Sequence, residues 1–219
     1  MPTRFTTNDA PPVIPIFPLP GALVLPRGRL PLNIFEPRYL VMVDDTLKTD
    51  HRLIGMIQPR NDSDDSDPSP LYDIGCAGRL STLSETDDGR YLIGLNGVSR
   101  FRVQREIEGF TPYRQAEVAW EEFRLDTKEP QMDCPDFDKA AFLSLVEQYF
   151  KLRSFDTDWD ALHKADEETI VNAVCMMCPF SAAEKQALLE AEDLTARAST
   201  LQAILEIEVA GEESSGGIN

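Results

Sequence analysis

Glycine and proline are distributed very unevenly along this chain. Between Asp136 and Gly211 there is no glycine and a single proline, Pro179. Both residues disfavour helix interiors. A stretch of this length with almost none of them therefore favours a series of helices. The preceding part of the chain consists of short apolar runs separated by turn residues, which is typical of β-strands. The sequence therefore predicts an α+β protein whose strands precede its helices.

The predicted strands are short apolar runs or segments in which apolar and polar residues alternate. They cover 13–17, 22–25, 30–35, 52–58, 74–85, 90–108 and 113–123. Asp88-Gly89 predicts a hairpin turn between two of them. Asn96-Gly97 is expected to interrupt the following strand, either as a second turn or as a bulge.

The segment "LPLNIFEPRYL" predicts a strand that turns into a helix. Pro37 suits the first helical position, and Glu36 precedes it at the positive end of the helix dipole. Phe35 and Tyr39 are four residues apart and can pack around this turn. Arg38 has no assigned partner, so solvent, an internal carboxylate and a binding partner all remain open.

Further helices are predicted in the glycine-free part of the chain. Ser181 and Glu184 stand in the register of a capping box, which marks a helix start. Apolar residues at helical spacing occur in "DFDKAAFLSLVEQYFKLR", and "DEETIVNAVCMMC" opens with acids. The segment "LTARASTLQAILEIEVA" is the last predicted helix.

A change of composition near 124–136 marks a boundary between the strand-rich and the helical parts. The predicted organisation is a disordered N-terminus at 1–12, a β-rich lobe with one short helix at 13–123, a linker at 124–135, a helical bundle at 136–210 and a disordered tail at 211–219.

The formal net charge of −17 disfavours nucleic acid and anionic membranes as partners, because both attract basic surfaces. Basic or apolar partners remain open. No apolar run is long enough for a membrane span, and the first residues lack the apolar core of a signal peptide. Four cysteines without an export signal suggest reduced thiols, and we therefore expect a cytoplasmic protein.

The sequence predicts no catalytic residue, no metal site and no cofactor. Cys175 and Cys178 end an apolar helix, where a pair three residues apart is typical of core packing. His51 and His163 lie in polar segments, and neither a phosphate-binding loop nor a nucleophile elbow occurs. The acidic run at 62–67 lacks the glycine of a calcium loop and is expected to be solvated.

Arginines are the remaining candidates for binding, and they recur in the strand-rich part of the chain. Arg100 and Arg102 are expected on one face of a strand, with Phe101 on the other. They can form a small basic strip for a carboxylate or phosphate of a partner, or they can pair with the many acids of this chain. Together with Arg38 and Tyr39, they are the predicted binding residues.

Several segments resemble the N-terminal substrate-recognition (LON) domain of ATP-dependent Lon proteases. "IPIFPLPGALVLPRGRLPLNIFEPRYL" is similar to the opening strands and first helix of that family. "LYDIGCAGRL" and "DGRYLIGLNGVSRFRV" resemble its later strands, and "CPFSAAEKQALLEAEDLTARASTLQAIL" resembles its closing helices. The resemblance covers residues 13–209.

The resemblance implies a PUA-like antiparallel β-barrel lobe followed by an α-helical bundle. It also implies a non-catalytic interaction module that recognises polypeptide segments or unfolded proteins, with the groove between the lobes as the binding place. Because the ATPase and protease modules of Lon are not in the sequence, we expect a stand-alone protein that is monomeric or weakly homo-oligomeric. Two alternatives remain: a remnant or ATP-independent peptidase or hydrolase, and a sensor of a small ligand or metal in the inter-lobe cleft.

Overall fold

The computed structural model describes residues 10–60, 69–128 and 137–216, with side chains as far as residue 211. Four predicted segments therefore lie wholly or partly outside the described residues. They are the disordered N-terminus at 1–12, the acidic run at 62–67, the linker at 124–135 and the tail at 211–219.

Six strands form one mixed sheet. They are β1 (Val13–Pro18), β2 (Arg29–Ile34), β3 (Leu53–Ile57), β4 (Ile74–Glu85), β5 (Tyr91–Ile107) and β6 (Gln115–Ala119). Their order is β2-β5-β4-β3-β1-β6, and β6 pairs with β5 as well. These strands match six of the seven predicted ones, whereas residues 22–25 are no strand, although Leu23, Val24 and Leu25 are buried.

The sheet is not purely antiparallel, and this part of the prediction is wrong. β1 runs parallel to β3, with Ile16 opposite Gly55, while the other neighbouring strands are antiparallel. The connection between β1 and β3 contains β2 and the first helix. A connection of this length allows a crossover that brings the chain back in the same direction.

The long strand β5 contains a bulge where the sequence predicts a turn or a bulge. Ala77 of β4 faces Ser99, but the next residue, Gly78, faces Gly97, so one residue of β5 is left over. At Gly97 a Cβ atom would lie 1.9 Å from the carbonyl oxygen of Leu25. This close approach of two backbones explains why glycine occupies the position.

The core of the sheet lies between β1, β3, β4, β5 and β6. Its buried members are Ile14, Ile16, Leu53, Ile57, Ala77, Phe101, Ala116, Val118 and Trp120. The rings of Phe101 and Trp120 meet edge to face, with centroids 5.9 Å apart. Burying so many large apolar side chains supplies the main driving force for folding this part of the chain.

Three helices in the described residues begin at the predicted signals, which are Pro37, the opening acids of "DEETIVNAVCMMC" and the capping box at Ser181. The helices are α1 (Pro37–Leu47), α2 (Lys139–Arg153), α3 (Trp159–Lys164), α4 (Glu167–Met177), α5 (Ala182–Glu190) and α6 (Leu194–Gly216), and a 3-10 segment covers Glu121–Thr127. The capping box is confirmed: the Ser181 amide donates to Glu184 at 2.8 Å, and the Glu184 amide donates to the Ser181 hydroxyl at 3.3 Å. Asp138 and Asp166 are simple N-caps of α2 and α4, whose side-chain oxygens accept hydrogen bonds from backbone amides of the first turn.

The chain divides into two compact units that are not continuous in sequence. The first contains the described residues up to 128 together with 179–189, and the second contains 137–178 and 190–216. In the second unit α6 packs against α2 and α4. Its buried Arg197 donates to the side-chain oxygen of Asn172 at 3.2 Å.

Helix α5 belongs to the first unit, although it lies within the predicted helical bundle at 136–210. Buried Lys185 donates to the carbonyl of Gly21 at 2.7 Å, and buried Gln186 donates to that of Ile74 at 3.1 Å. The carbonyl of Leu189 accepts a hydrogen bond from Arg100 at 3.2 Å. These polar contacts join α5 to the loop after β1 and to strands β4 and β5.

Candidate functional site

Strand β2 has one open edge along its whole length. Among the described strands it pairs with β5 alone, from Arg29 opposite Asn96 to Ile34 opposite Tyr91. The end of β4, from Ser81 to Glu85, also has only β5 beside it, but a register shift at its start disrupts this edge. Bulges of this kind protect edges from pairing with other chains. The regular edge of β2 is therefore the better place for a further strand.

Pro31 indicates which backbone groups of β2 face the open edge. Proline has no amide N–H, so within a sheet it is accommodated where that position faces away from the neighbouring strand. Because the direction alternates along a strand, Arg29 and Asn33 share the orientation of Pro31. We infer that the open edge presents the carbonyls of these three residues and the amides of Arg29 and Asn33.

An exposed aromatic ring follows β2 directly. The side chain of Phe35 is 62% exposed, whereas the side chain of Ile34, one residue earlier, is buried. Along the strand, Leu30 and Leu32 are partly exposed. A single exposed apolar side chain is common on protein surfaces, so Phe35 points to a binding place only together with the open strand edge beside it. The open edge of β2 and Phe35 together form the candidate site, which we call the β2 edge site.

The predicted binding residues Arg38 and Tyr39 lie at the beginning of α1, just after Phe35. The ring of Tyr39 is 7% exposed and packs on Phe17 with a centroid distance of 4.1 Å, so it belongs to the core. Arg38 is exposed, bonds to Glu36 at 3.0 Å and lies over the ring of Tyr39. The aromatic partner of Tyr39 is thus Phe17, while Phe35 is directed to solvent.

Two tyrosines attach α1 to the rest of the first unit beside the β2 edge site. Tyr91, opposite Ile34, donates to Asp44 at 3.2 Å, and this hydrogen bond raises the pKa of the Tyr91 hydroxyl. Tyr113 donates to Asp45 at 3.0 Å. Burial, followed by the hydrogen bond to Asp45, raises the pKa of Tyr113 to about 12. Both hydroxyls therefore stay protonated and act as donors at neutral pH.

Arg100 and Arg102 lie elsewhere on β5 and do not join the β2 edge site. Arg100 forms an ion pair with Asp126 and is 5% exposed, so its guanidinium is not accessible to another molecule. Arg102 pairs with Glu122 at 2.7 Å on the 3-10 segment. The part of β5 that pairs with β2 ends at Asn96. Pairing with acids of the same chain, the alternative left open by the sequence, is what the structure shows for both arginines.

The residues singled out for metal or thiol chemistry occupy structural positions. Cys175 and Cys178 are fully buried in the second unit. His51 is half-buried, and its Nδ1 accepts a hydrogen bond from the amide of Leu53 at 3.1 Å. Within the described ranges, no group of three or more histidine, cysteine or acidic side chains is arranged to hold a metal ion.

Sequence reasoning did not identify the β2 edge site. The available signals were a proline inside a predicted strand, which favours an edge position, and the apolar Phe35 at the end of that strand. Which strand lies beside β2 depends on contacts with residues about sixty positions away.

No helix in the described part of the chain is long and apolar enough to span a membrane.

Comparison with solved structures supports the fold. The N-terminal domain of Lon protease from the Mycobacterium avium complex matches 89% of this chain and 98% of that chain, with a TM-score of 0.63 and 15% identity. A Lon N-terminal domain protein from Xanthomonas campestris matches 87% of this chain and 97% of its own, with a TM-score of 0.58 and 22% identity. At these identities the likeness concerns the fold alone.

Sequence relatives include full-length Lon proteases. Lon protease 2 of Myxococcus xanthus is 26% identical over 199 residues, which is 90% of this chain and 24% of the relative. Lon protease 2 of Sorangium cellulosum is 31% identical over 124 residues, 54% of this chain and 15% of the relative. The chain therefore spans less than a quarter of the length of either relative.

The family assignment rests on the match over almost the whole described chain. The family model described as the ATP-dependent protease La (LON) substrate-binding domain matches residues 13–206. The matched range contains all six strands and reaches into α6. The chain belongs to the LON substrate-binding domain family.

Proposed function

We propose that this domain binds extended, partly apolar segments of unfolded proteins at the β2 edge site, without itself carrying out a reaction. The observation that carries the proposal is the exposed Phe35 at the end of an open, regular strand edge. The family, whose members are substrate-binding domains, supports a role in recognising protein substrates.

The backbone of β2 suits recognition that is largely independent of the bound sequence. A segment that adds to a sheet edge forms main-chain hydrogen bonds, which every polypeptide offers. An unfolded chain has unpaired backbone groups available, whereas a folded protein has used most of them internally. The β2 edge site therefore favours unfolded over folded proteins.

Pro31 limits the strength of this pairing. It removes one donor from the edge, and prolines on edge strands hinder uncontrolled association between sheets. Three carbonyls and two amides remain, and Phe35 adds apolar contact. Five backbone groups and one apolar ring suit weak, reversible binding of a polypeptide segment better than permanent strand exchange.

The test compares binding of one protein in a permanently unfolded, alkylated form and in its folded form, measured by calorimetry. We expect preferential binding of the unfolded form. Phe35→Ser removes the apolar contact and is expected to weaken that binding about tenfold, as the transfer free energy of a large side chain suggests. Leu125→Ser is the matched control, because Leu125 is 63% exposed and lies on the 3-10 segment.

Equal binding of the two forms would contradict the proposal, and so would equal effects of the two substitutions. Incubation with casein, with and without ATP, tests the non-catalytic part of the proposal. We expect no cleavage in either case.

A further inference from the structure

Beside the open edge of β2, nine residues in three cross-strand rows share one face, and none of them is acidic. Residues directly opposite each other on antiparallel strands place their side chains on the same face. Three such rows run across β2, β5 and β4: Arg29, Asn96 and Arg79; Pro31, Gly94 and Thr82; Asn33, Leu92 and Ser84. The first row contains two arginines, although the chain as a whole carries a charge of −17.

Gly94 lies where a guanidinium and a hydroxyl converge. A Cβ atom at this position would lie 3.5 Å from both Nε and Nη2 of Arg29 and 2.4 Å from the hydroxyl oxygen of Thr82. Because glycine has no side chain, Arg29 can lie over β5 next to Thr82, on the side of β2 away from the open edge. Both groups are hydrogen-bond donors, and a guanidinium is suited to two-point binding of a carboxylate.

Arg29 is available to a partner. Its side chain is exposed, and it forms no ion pair within the described part of the chain. Arg100, Arg102, Arg105 and Arg114, by contrast, are each paired with an acid. Among the described residues, no acid therefore forms an ion pair with the Arg29 guanidinium.

A strand added to β2 would extend these rows by one residue each. The side chain opposite Arg29 would lie on the acid-free face, with about 4.5–5.5 Å between the Cβ atoms. Its neighbours in the added strand would point to the other face, beside Leu30 and Leu32. Salt screens exposed charges that are more than about 8 Å apart, so a carboxylate next to Arg29 interacts with that arginine more strongly than with charges further away.

We propose that the β2 edge selects polypeptide segments in which an acidic residue stands opposite Arg29 and apolar residues occupy the alternate positions beside Leu30 and Leu32. This inference rests on the proposed function, since it requires a segment bound as a strand along β2. It names the class of segment: alternating, apolar on one face, with a carboxylate on the other. When such a segment binds, the Arg29 side chain turns from Gly94 of β5 towards the added strand, and the arginine and the carboxylate form a cross-strand ion pair.

The test uses three short alternating peptides measured by fluorescence anisotropy. One carries glutamate at an end position of its polar face, the second carries glutamine there, and the third carries the glutamate one residue further along. A one-residue shift moves a side chain to the opposite face of a strand. We expect the first peptide to bind about two- to fivefold more tightly than the other two, with the difference shrinking at high salt.

Variants of Arg29 assign the preference to this residue. Arg29→Gln is expected to abolish the preference for glutamate. Arg29→Glu is expected to bind a fourth peptide, with lysine at the same position, more tightly than the glutamate peptide. Arg105→Gln is the matched control, because Arg105 is an exposed arginine on the part of β5 that pairs with β6. This control is expected to keep the wild-type preference.

The outcomes separate this inference from the proposed function. If none of the peptides binds, the proposed function fails and the inference with it. If glutamate and glutamine peptides bind equally well to the wild type, the inference is wrong while strand addition stands. A glutamate preference that survives Arg29→Gln would also contradict it, since another residue would then recognise the carboxylate.

Discussion

The guanidinium of Arg100 holds the carboxylate of Asp126 by two hydrogen bonds, Nε to Oδ2 at 3.0 Å and Nη2 to Oδ1 at 2.9 Å. The two side chains are 5% and 7% exposed. The backbone amide of Arg100 also donates to Asp126, and the guanidinium reaches the carbonyl of Leu189 in α5. One buried ion pair thereby joins β5, the 3-10 segment and α5 within the first unit.

Removing the acid from this pair is expected to destabilise the protein strongly. Asp126→Ala leaves a buried guanidinium without its carboxylate, which typically costs about 3–5 kcal/mol of unfolding free energy. Glu122→Ala breaks the exposed pair with Arg102 and is expected to cost far less, because water screens that pair. Urea denaturation of both variants measures the difference. Equal losses would show that the buried pair has no special role.

Gly97 is expected to tolerate no side chain. Gly97→Ala places a methyl group against the carbonyl oxygen of Leu25, so a backbone segment must move, at a cost of about 1–3 kcal/mol or more. At Gly109 a Cβ atom would have no neighbour within 4 Å, and Gly109→Ala is expected to stay within about 0.5 kcal/mol of the wild type. Thermal unfolding of the two variants checks this order, and a stable Gly97→Ala protein would contradict the bulge geometry.

His51 is expected to make stability depend on pH. Burial, assisted by the nearby charge of Arg79, lowers the pKa of His51, and its Nδ1 must be unprotonated to accept the bond from Leu53. The unfolded chain therefore binds the proton first as the pH falls below about 6.5, and this contribution to stability is lost between that value and the lower folded pKa. The contribution is complete above about pH 6.5.

The measurement is the unfolding free energy between about pH 8 and pH 5. His51→Asn keeps an acceptor oxygen that does not titrate in this range, so the decline on acidification should be smaller than in the wild type. His163→Asn changes an exposed histidine of α3 and serves as the control. A decline that is identical in the wild type and His51→Asn would rule out the role of His51.

The capping box of α5 is expected to contribute measurably. Ser181→Ala removes the hydroxyl that accepts from the Glu184 amide, and the loss of such a cap costs about 1 kcal/mol. Ser199→Ala, at an exposed position within α6, is expected to be neutral or slightly stabilising because alanine favours helices. Urea denaturation compares them, and no loss for Ser181→Ala would mean that water replaces the hydroxyl.

Local signals in the sequence predicted local structure well. The start of α1 at Pro37 and the capping box at Ser181 each depend on residues a few positions apart. The parallel pairing of β1 with β3 was not foreseen, because it depends on a crossover of more than thirty residues. The predicted features and the missed strand pairing differ in how far apart in sequence the contacting residues lie.

Polar residues were the least predictable part of the fold and of the site. Lys185 and Gln186 have the composition of a solvated helix face, yet both are buried because carbonyls of the first unit accept their hydrogen bonds. Arg100 forms its ion pair with Asp126, which is twenty-six positions further along the chain. The β2 edge depends likewise on which strand has no second neighbour, and no short motif encodes that property.

Amide hydrogen exchange at β2 tests the central claim most directly. Exchange in the protein alone is compared with exchange in the protein saturated with the unfolded, alkylated protein. If segments add to the open edge, exchange of the Arg29 and Asn33 amides slows on binding, while that of the amides in the 3-10 segment Glu121–Thr127 is unchanged. Saturated binding with unchanged exchange at Arg29 and Asn33 would contradict strand addition at the β2 edge site.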